Sequence, residues 1–398
     1  MGGIDNLDVY ILLLLAVIAG WLMGRFGSRF KSAPRDSQEI FQDYFVGLNY
    51  LLNDEPDEAI DTFIKALEVN NDTIETHLAL GALLRRRGKV DKAIKVHQAL
   101  LARQGLDKSF FDSTRLQLAL DYIAAGLLDR AERLLKEIRD ERGVGHWQAL
   151  KHLITVYQTE KEWLQALECT RELLTSAQHK KDAGLRSQAA HYCCELATES
   201  LARKQWSQAR DQLKEAFTFD RKHERTALLL ADLEHSLGNE EEALKELLRV
   251  RRQHPEFSSH VLQLLMRWFV DVEDVGELRQ RLIAELGDEK DPALILTVAD
   301  LVDRESSARD AIAFLDSQHG AESTLEMLVR RLQLQLQLSD GDIKDEITAL
   351  YSLLEAMLED RACYQCNHCG YESRRLYWLC PSCQNWDKTK PIVKEVVR

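Results

Sequence analysis

Five of the eight cysteines in this 398-residue chain, Cys363, Cys366, Cys369, Cys380 and Cys383, stand within its last thirty-six residues, while Cys169, Cys193 and Cys194 lie apart in helical patterns. Thiols gathered in this way can cross-link, exchange disulfides or hold a soft metal ion. The spacing selects the metal. Cys366 with Cys369 and Cys380 with Cys383 form two C-x-x-C hooks, each placing two sulfurs on one tight turn, and two hooks complete a tetrahedral all-thiolate site. A redox dithiol needs only one such pair. Four protein ligands leave no position open for water or substrate, so the ion is expected to be structural.

Cys363 precedes Cys366 by the same step, so the first hook has two possible assignments. Gly370 and Tyr371 follow Cys369, and Pro381 sits inside the second hook, which favours Cys366 with Cys369 and leaves Cys363 as a spare thiol. The arrangement resembles rubredoxin-type knuckles, with Gly370 supplying a left-handed turn residue. Two features depart from that pattern. Gln384 stands where a glycine is usual after the second hook, and ten residues separate Cys369 from Cys380. So short a loop is expected to lack the small sheet and aromatic core that tune a redox iron. The segment is therefore expected to be a docking knuckle folded by its ion, with Trp378 and Trp386 as apolar cover. Tetrahedral sulfur accepts iron or zinc.

No other chemistry is announced. The sequence lacks H-E-x-x-H, G-x-S-x-G, G-x-x-x-x-G-K-[ST] and a G-x-G-x-x-G after a strand. Its histidines, among them His146, His152, His179, His191, His223, His235, His254 and His260, are scattered without the i, i+4 pairing of a helical metal site. The expectation is a protein that is not an enzyme. A net charge of −13 argues against nucleic acid, whose phosphates call for a basic face, and leaves protein surfaces as the expected partners.

Six prolines and 19 glycines in a chain with 45% hydrophobic residues describe helix formers with few breakers. Small residues recur at a fixed period. Val46, Gly47, Tyr50, Ala59, Phe63 and Ala66 fall at tetratricopeptide positions, and Leu80, Gly81, Leu84, Ala93 and Leu100 repeat them 34 residues on. Further units surround Ala119, Tyr122 and Ala131; Leu153, Tyr157 and Ala166; Leu196, Ala197 and Ala209; and Leu230, Ala231, Ala243 and Pro255. The steps from Ala93 through Ala131, Ala166, Ala209 and Ala243 are 38, 35, 43 and 34, so the connection from Gln178 to Gln188 carries an insertion. Two weaker units, with Leu265 and Phe269 and with Ala299 and Ala311, precede a last helical stretch from Glu322 to Leu358. One helix pair cannot bury its apolar face alone, whereas stacked pairs share a core and curve around a groove that binds proteins. Trp147, Trp163, Trp206 and Trp268 are expected in that core, and Glu240, Glu241 and Glu242 in a solvated first helical turn.

At the other end, Val9 to Gly24 carries no charge, and Trp21 is placed as an interfacial aromatic. Sixteen residues at helical rise reach about 24 Å against a hydrocarbon core of about 30 Å, so flanks such as Leu7 and a snorkelling Arg25 must help. Asp5 and Asp8 precede the run, while Arg25, Arg29, Lys31 and Arg35 follow it. The positive-inside rule then puts the N-terminus in the periplasm and the bulk of the chain in the cytoplasm. The expected all-α architecture is a transmembrane anchor over 1–25, a linker over 26–39, a tetratricopeptide superhelix over 40–360 and a rubredoxin-like four-cysteine knuckle over 361–398.

This ordered combination, with the stretches DYFVGLNYLLNDEPDEAI, VDKAIKVHQALL, LDYIAAGLLDRAE and LYWLCPSCQNW, resembles the lipopolysaccharide assembly protein B family of Gram-negative bacteria along the whole chain. The resemblance implies a single-pass inner-membrane adaptor that restrains lipopolysaccharide synthesis. It would couple an FtsH-type AAA+ protease to the UDP-acyl-GlcNAc deacetylase of lipid A synthesis, promoting degradation of the deacetylase. The alternative is a scaffold that gathers lipopolysaccharide assembly proteins without steering proteolysis. An inner-membrane regulator is a further implied partner. The family's rubredoxin-type iron carries over to Cys366, Cys369, Cys380 and Cys383 as one Fe ion, with zinc the other ion such a site holds.

Overall fold

The structure is a computed structural model that describes residues 74–392, except 104–105, 270–274, 287–290, 319–323, 341 and 360–361, together with Val46 and Tyr50. The candidate anchor over 1–25, the linker and nearly all of the first repeat lie outside the described residues. Among the described residues no helix is long and apolar enough to cross a membrane.

Contacts divide the chain into two units, Met1–His152 and Leu153–Arg398. The first contains α1 (Ile74–Arg86), α2 (Val90–Leu101), α3 (Lys108–Ala124), α4 (Leu128–Asp140) and the start of α5 (His146–Glu160). The second continues with α6 (Trp163–Leu174), α7 (Ala183–Ala202), α8 (Trp206–Phe219), α9 (Glu224–Ser236) and α10 (Glu240–Gln253). After a 3-10 turn at Pro255–Phe257 come α11 (Ser258–Trp268), α12 (Val275–Ala284), α13 (Pro292–Glu305), α14 (Ala308–Ser317), α15 (Leu325–Leu338) and α16 (Asp342–Glu359). Three short strands close the chain: β1 (Tyr364–Cys366), β2 (Glu372–Ser373) and β3 (Thr389–Pro391).

The helices pair as hairpins, and within each unit the first helix of one hairpin also meets the first helix of the next, as α1 with α3 and α7 with α9. Ala93, Ala131, Ala166, Ala209 and Ala243, the recurring small residues, are all fully buried. The five hairpin turns from α1–α2 to α9–α10 close in the same way. Gly88, Gly126, Lys161, Lys204 and Gly238 have φ of 76°, 73°, 60°, 58° and 77°. The next residue's amide reaches back to a carbonyl five residues earlier: Lys89 to Leu84 at 2.9 Å, Leu127 to Tyr122, Glu162 to Tyr157 and Gln205 to Ser200 at 2.8 Å, and Asn239 to Glu234 at 2.9 Å. This is the Schellman closure, which satisfies carbonyls that a helix end leaves orphaned.

In the first unit Gly81 faces the second helix of its own hairpin, and a side-chain carbon there would overlap the His97 ring. That ring is held in turn by buried Asp121, which also accepts from Arg85 at 2.6 Å. The small residue is thus required by the His97 imidazole. In the second unit the insertion between Gln178 and Gln188 folds partly into a loop, where Ser176 and His179 hydrogen-bond at 2.7 Å, and partly into the start of the twenty-residue α7, which Asp182 caps through the Leu185 amide. The last helical stretch is two helices, α15 and α16.

The core runs through α9 to α13, with Phe257, Val261, Leu265, Leu282, Leu294 and Val298 buried among others. Leu376 and Trp378 from the C-terminal segment pack against this cluster. Of the four tryptophans expected in the core, Trp163 is buried, Trp206 and Trp268 are half-buried, and Trp147 is exposed with its edge against His146. Glu240, Glu241 and Glu242 form the exposed first turn of α10.

Candidate metal centre and its docking face

The two hooks are built alike. Each first cysteine donates its amide to a carbonyl five residues ahead: Cys366 to Tyr371 at 2.8 Å and Cys380 to Asn385 at 3.1 Å. Each also accepts at its carbonyl from the residue four ahead, Gly370 and Gln384, both at 2.9 Å. Those fourth residues are left-handed, with φ of 76° at Gly370 and 54° at Gln384. The substitution of glutamine for glycine therefore leaves the turn intact and places the strain of a left-handed non-glycine residue on it.

The hooks converge. Cys366 Sγ lies 3.7 Å from Cys383 Sγ and Cys369 Sγ lies 3.7 Å from Cys380 Sγ, with all four sulfurs within 4.8 Å of one another. Four thiolates about 2.3 Å from one ion in tetrahedral array would sit about 3.8 Å apart, so the spacing suits a metal. Cys366 and Cys380 are buried, whereas Cys369 is exposed and Cys383 half-buried. The Tyr371 amide holds the Cys369 thiol below its ordinary range, and Asn385 lowers Cys383 to about 6, while burial pushes Cys380 up to about 11. Cys363 stands outside the cluster on an exposed stretch.

The knuckle does contain a sheet. Strand β1 pairs antiparallel with β2 and with β3, in the order β2-β1-β3, with Tyr364 opposite Ser373 and Pro391 and with Cys366 opposite Thr389. The expectation of a sheetless knuckle fails because two of the strands come from outside the ten-residue loop, one entering the first hook and one following the second.

Trp378 and Trp386 turn toward the repeats. Trp386 is buried, stacks on His191 with centroids 4.4 Å apart and lies edge-on to Trp163 and Tyr192. Trp378 stacks on Phe257 at 5.5 Å. Gln158 at the end of α5 ties the two parts together. Its Oε1 accepts from Trp386 Nε1 at 2.8 Å and from Tyr192 Oη at 3.0 Å, and its Nε2 donates to the Gln384 carbonyl at 3.0 Å. Lys390 pairs with Glu224 at 3.2 Å and sits over the Phe257 ring, and His260 bonds the Tyr364 hydroxyl at 2.9 Å.

Residues 364–391 match the family described as rubredoxin metal binding domain, and residues 200–267 match the tetratricopeptide repeat. The chain is 29% identical over 387 residues to lipopolysaccharide assembly protein B of Escherichia coli strain K12, covering 96% of this chain and 97% of that one. It is 30% identical over 402 residues to lipopolysaccharide assembly protein B of Haemophilus influenzae, covering 96% and 98%. The chain belongs to the lipopolysaccharide assembly protein B family. A solved tetratricopeptide repeat protein from Parabacteroides merdae is 16% identical, covering 72% of this chain and 94% of that one, with a TM-score of 0.33.

In this member of the lipopolysaccharide assembly protein B family the docking face also assembles residues that sequence reading passed over. His191 on α7 and His223, which caps α9, meet at 3.3 Å between their Nε2 atoms, and Asp387 of the knuckle reaches His191 Nε2 at 2.5 Å. The search for i, i+4 histidines missed them. Their separation of 32 residues, close to one repeat, was the available signal, because positions one repeat apart fall side by side on adjacent helices. Both rings are buried. Burial pushes His223 down to about 3 and lowers His191. Burial raises the Asp387 carboxyl, but hydrogen bonds from His191 and Ser187 outweigh that and hold it well below the usual carboxylate range.

Proposed function

We propose that this chain is a non-enzymatic inner-membrane adaptor that restrains lipopolysaccharide synthesis by delivering the UDP-acyl-GlcNAc deacetylase of lipid A synthesis to an FtsH-type membrane protease. The observation that carries the reading is the match to lipopolysaccharide assembly protein B over nearly the full length of both chains. Helical hairpins of the tetratricopeptide type supply protein-binding surface and no catalytic constellation is needed for delivery. The uncharged run Val9–Gly24, with its basic flank at Arg25, Arg29, Lys31 and Arg35, is the proposed anchor, N-terminus periplasmic.

Cys366, Cys369, Cys380 and Cys383 are the proposed ligands of one structural ion, supported by their convergence and by the rubredoxin match. Thiolate sulfur binds iron and zinc alike, and in either case the ion fastens the two hooks. Iron is the ion the family resemblance implies.

The test is the lifetime of the deacetylase after translation is blocked, in host cells depleted of this protein and restored with either the native chain or a Cys380→Ser, Cys383→Ser variant. A longer lifetime on depletion, corrected by the native chain and not by the variant, is the expected result. An unchanged lifetime would sink the proteolytic adaptor. The relatives' name, lipopolysaccharide assembly protein B, favours the second reading, a scaffold for lipopolysaccharide assembly enzymes; pull-downs that recover those enzymes without protease or deacetylase would then support it.

A further inference from the structure

We infer that His191, His223 and Asp387 form a second cation site, for a divalent ion of the zinc class, which clamps the C-terminal knuckle to the helical repeats. The three ligand atoms lie within 4.8 Å of one another, and they come from three separate elements: α7, the cap of α9 and the turn after the second hook. The two Nε2 atoms are 3.3 Å apart. Ligands about 2.0–2.1 Å from a tetrahedral zinc stand about 3.3 Å apart, so the imidazole pair already has the spacing, and an Asp387 oxygen lies beside it, 2.5 Å from His191 Nε2. Two histidines and a carboxylate leave a fourth position for water.

Proton placement allows it. With its hydrogen on Nδ1, His223 donates to Thr226 Oγ1, 2.7 Å away, and its Nε2 lone pair faces His191 Nε2 at 3.3 Å. An ion between the rings would take the place of the hydrogen that His191 Nε2 otherwise gives to Asp387.

The charges around the site are consistent. Arg225 and Lys390 are the nearby cations, but Arg225 pairs with Glu195 at 2.9 Å and Lys390 with Glu224. Asp387 itself takes a left-handed φ of 59°, a conformation aspartate tolerates better than most residues, and this turn aims one oxygen at His191 while Ser187 holds the other at 2.6 Å. The carboxylate is thus held beside the space between the rings.

The experiment uses the untagged full chain in detergent, stripped with chelator and reloaded with cobalt(II) or zinc. Metal analysis should give two ions per native chain, with the cobalt form showing both thiolate charge-transfer absorption and the weaker bands of a nitrogen and oxygen site. Asp387→Asn keeps the size and the turn preference, and should drop the content to one ion with the thiolate absorption retained. The Cys380→Ser, Cys383→Ser variant should lose the thiolate absorption and, as the undocked knuckle carries Asp387 away from α7, the nitrogen and oxygen bands with it. One ion in the native chain, all of it thiolate-bound, would overturn the inference without any variant. Two ions that survive both Asp387→Asn and His223→Asn, the latter chosen because asparagine still caps a helix, would place the second ion elsewhere and overturn it too.

Discussion

A single left-handed residue closes each of the five hairpins from α1–α2 to α9–α10. At Gly88, Gly126 and Gly238 the conformation is free of side-chain conflict, whereas Lys161 and Lys204 hold the same φ against their own Cβ atoms. The left-handed region costs an L-residue roughly 1–2 kcal/mol, and glycine recovers that while giving back some entropy in the unfolded chain. Lys161→Gly and Lys204→Gly should therefore each stabilise the second unit by about 0.5–1 kcal/mol. Urea unfolding should show the midpoint rising with an unchanged slope. A fall in either variant would mean that the lysine side chain makes a contribution larger than the strain it brings.

Between elements, the docking of the knuckle depends on groups that have nowhere else to bond. The Gln158 amide has one consistent orientation, because the indole Nε1 of Trp386 can only donate and the Gln384 carbonyl can only accept. Replacing it by leucine strands the Trp386 and Tyr192 donors at a buried surface, a loss of about 2–6 kcal/mol from two unsatisfied groups. Gln158→Leu should thus raise amide exchange in β1 and β3 and shift the Trp386 indole resonance, with the hooks still closed. Exchange rates equal to those of the native chain would show that apolar packing by Trp378 and Trp386 suffices. Much of this was legible in the residues: the hairpins from the recurring alanines, and the hooks from cysteine spacing with Gly370. What could not be read was contact between distant segments. Trp386 looks like cover for an ion until α7 is placed beneath it, and Trp147 looks like core until its face is found open. The strands β1 and β3 were hidden because each is three residues long, too short for an alternating pattern.

For the second unit as a whole, the knuckle is a component of the repeat core and not an appendage, since Leu376 and Trp378 pack on the cluster that holds Phe257, Val261 and Leu265. A segment this small is folded by its ion more than by its own apolar area. Loss of the four-thiolate ion should then uncover the faces of α7, α9 and the turn at Pro255–Phe257 while leaving residues 74–152 as they were. Hydrogen exchange read by mass spectrometry on the native chain and on the Cys380→Ser, Cys383→Ser variant measures this directly. The expected pattern is lost protection confined to the second unit, greatest in α7 and α9, whose residues Ser187, His191 and Glu224 hold Asp387 and Lys390. If instead the variant kept native protection in both helices, the repeats would be stable without the knuckle, and a requirement for the cysteines in the cell would have to come from partner contacts made by the knuckle itself.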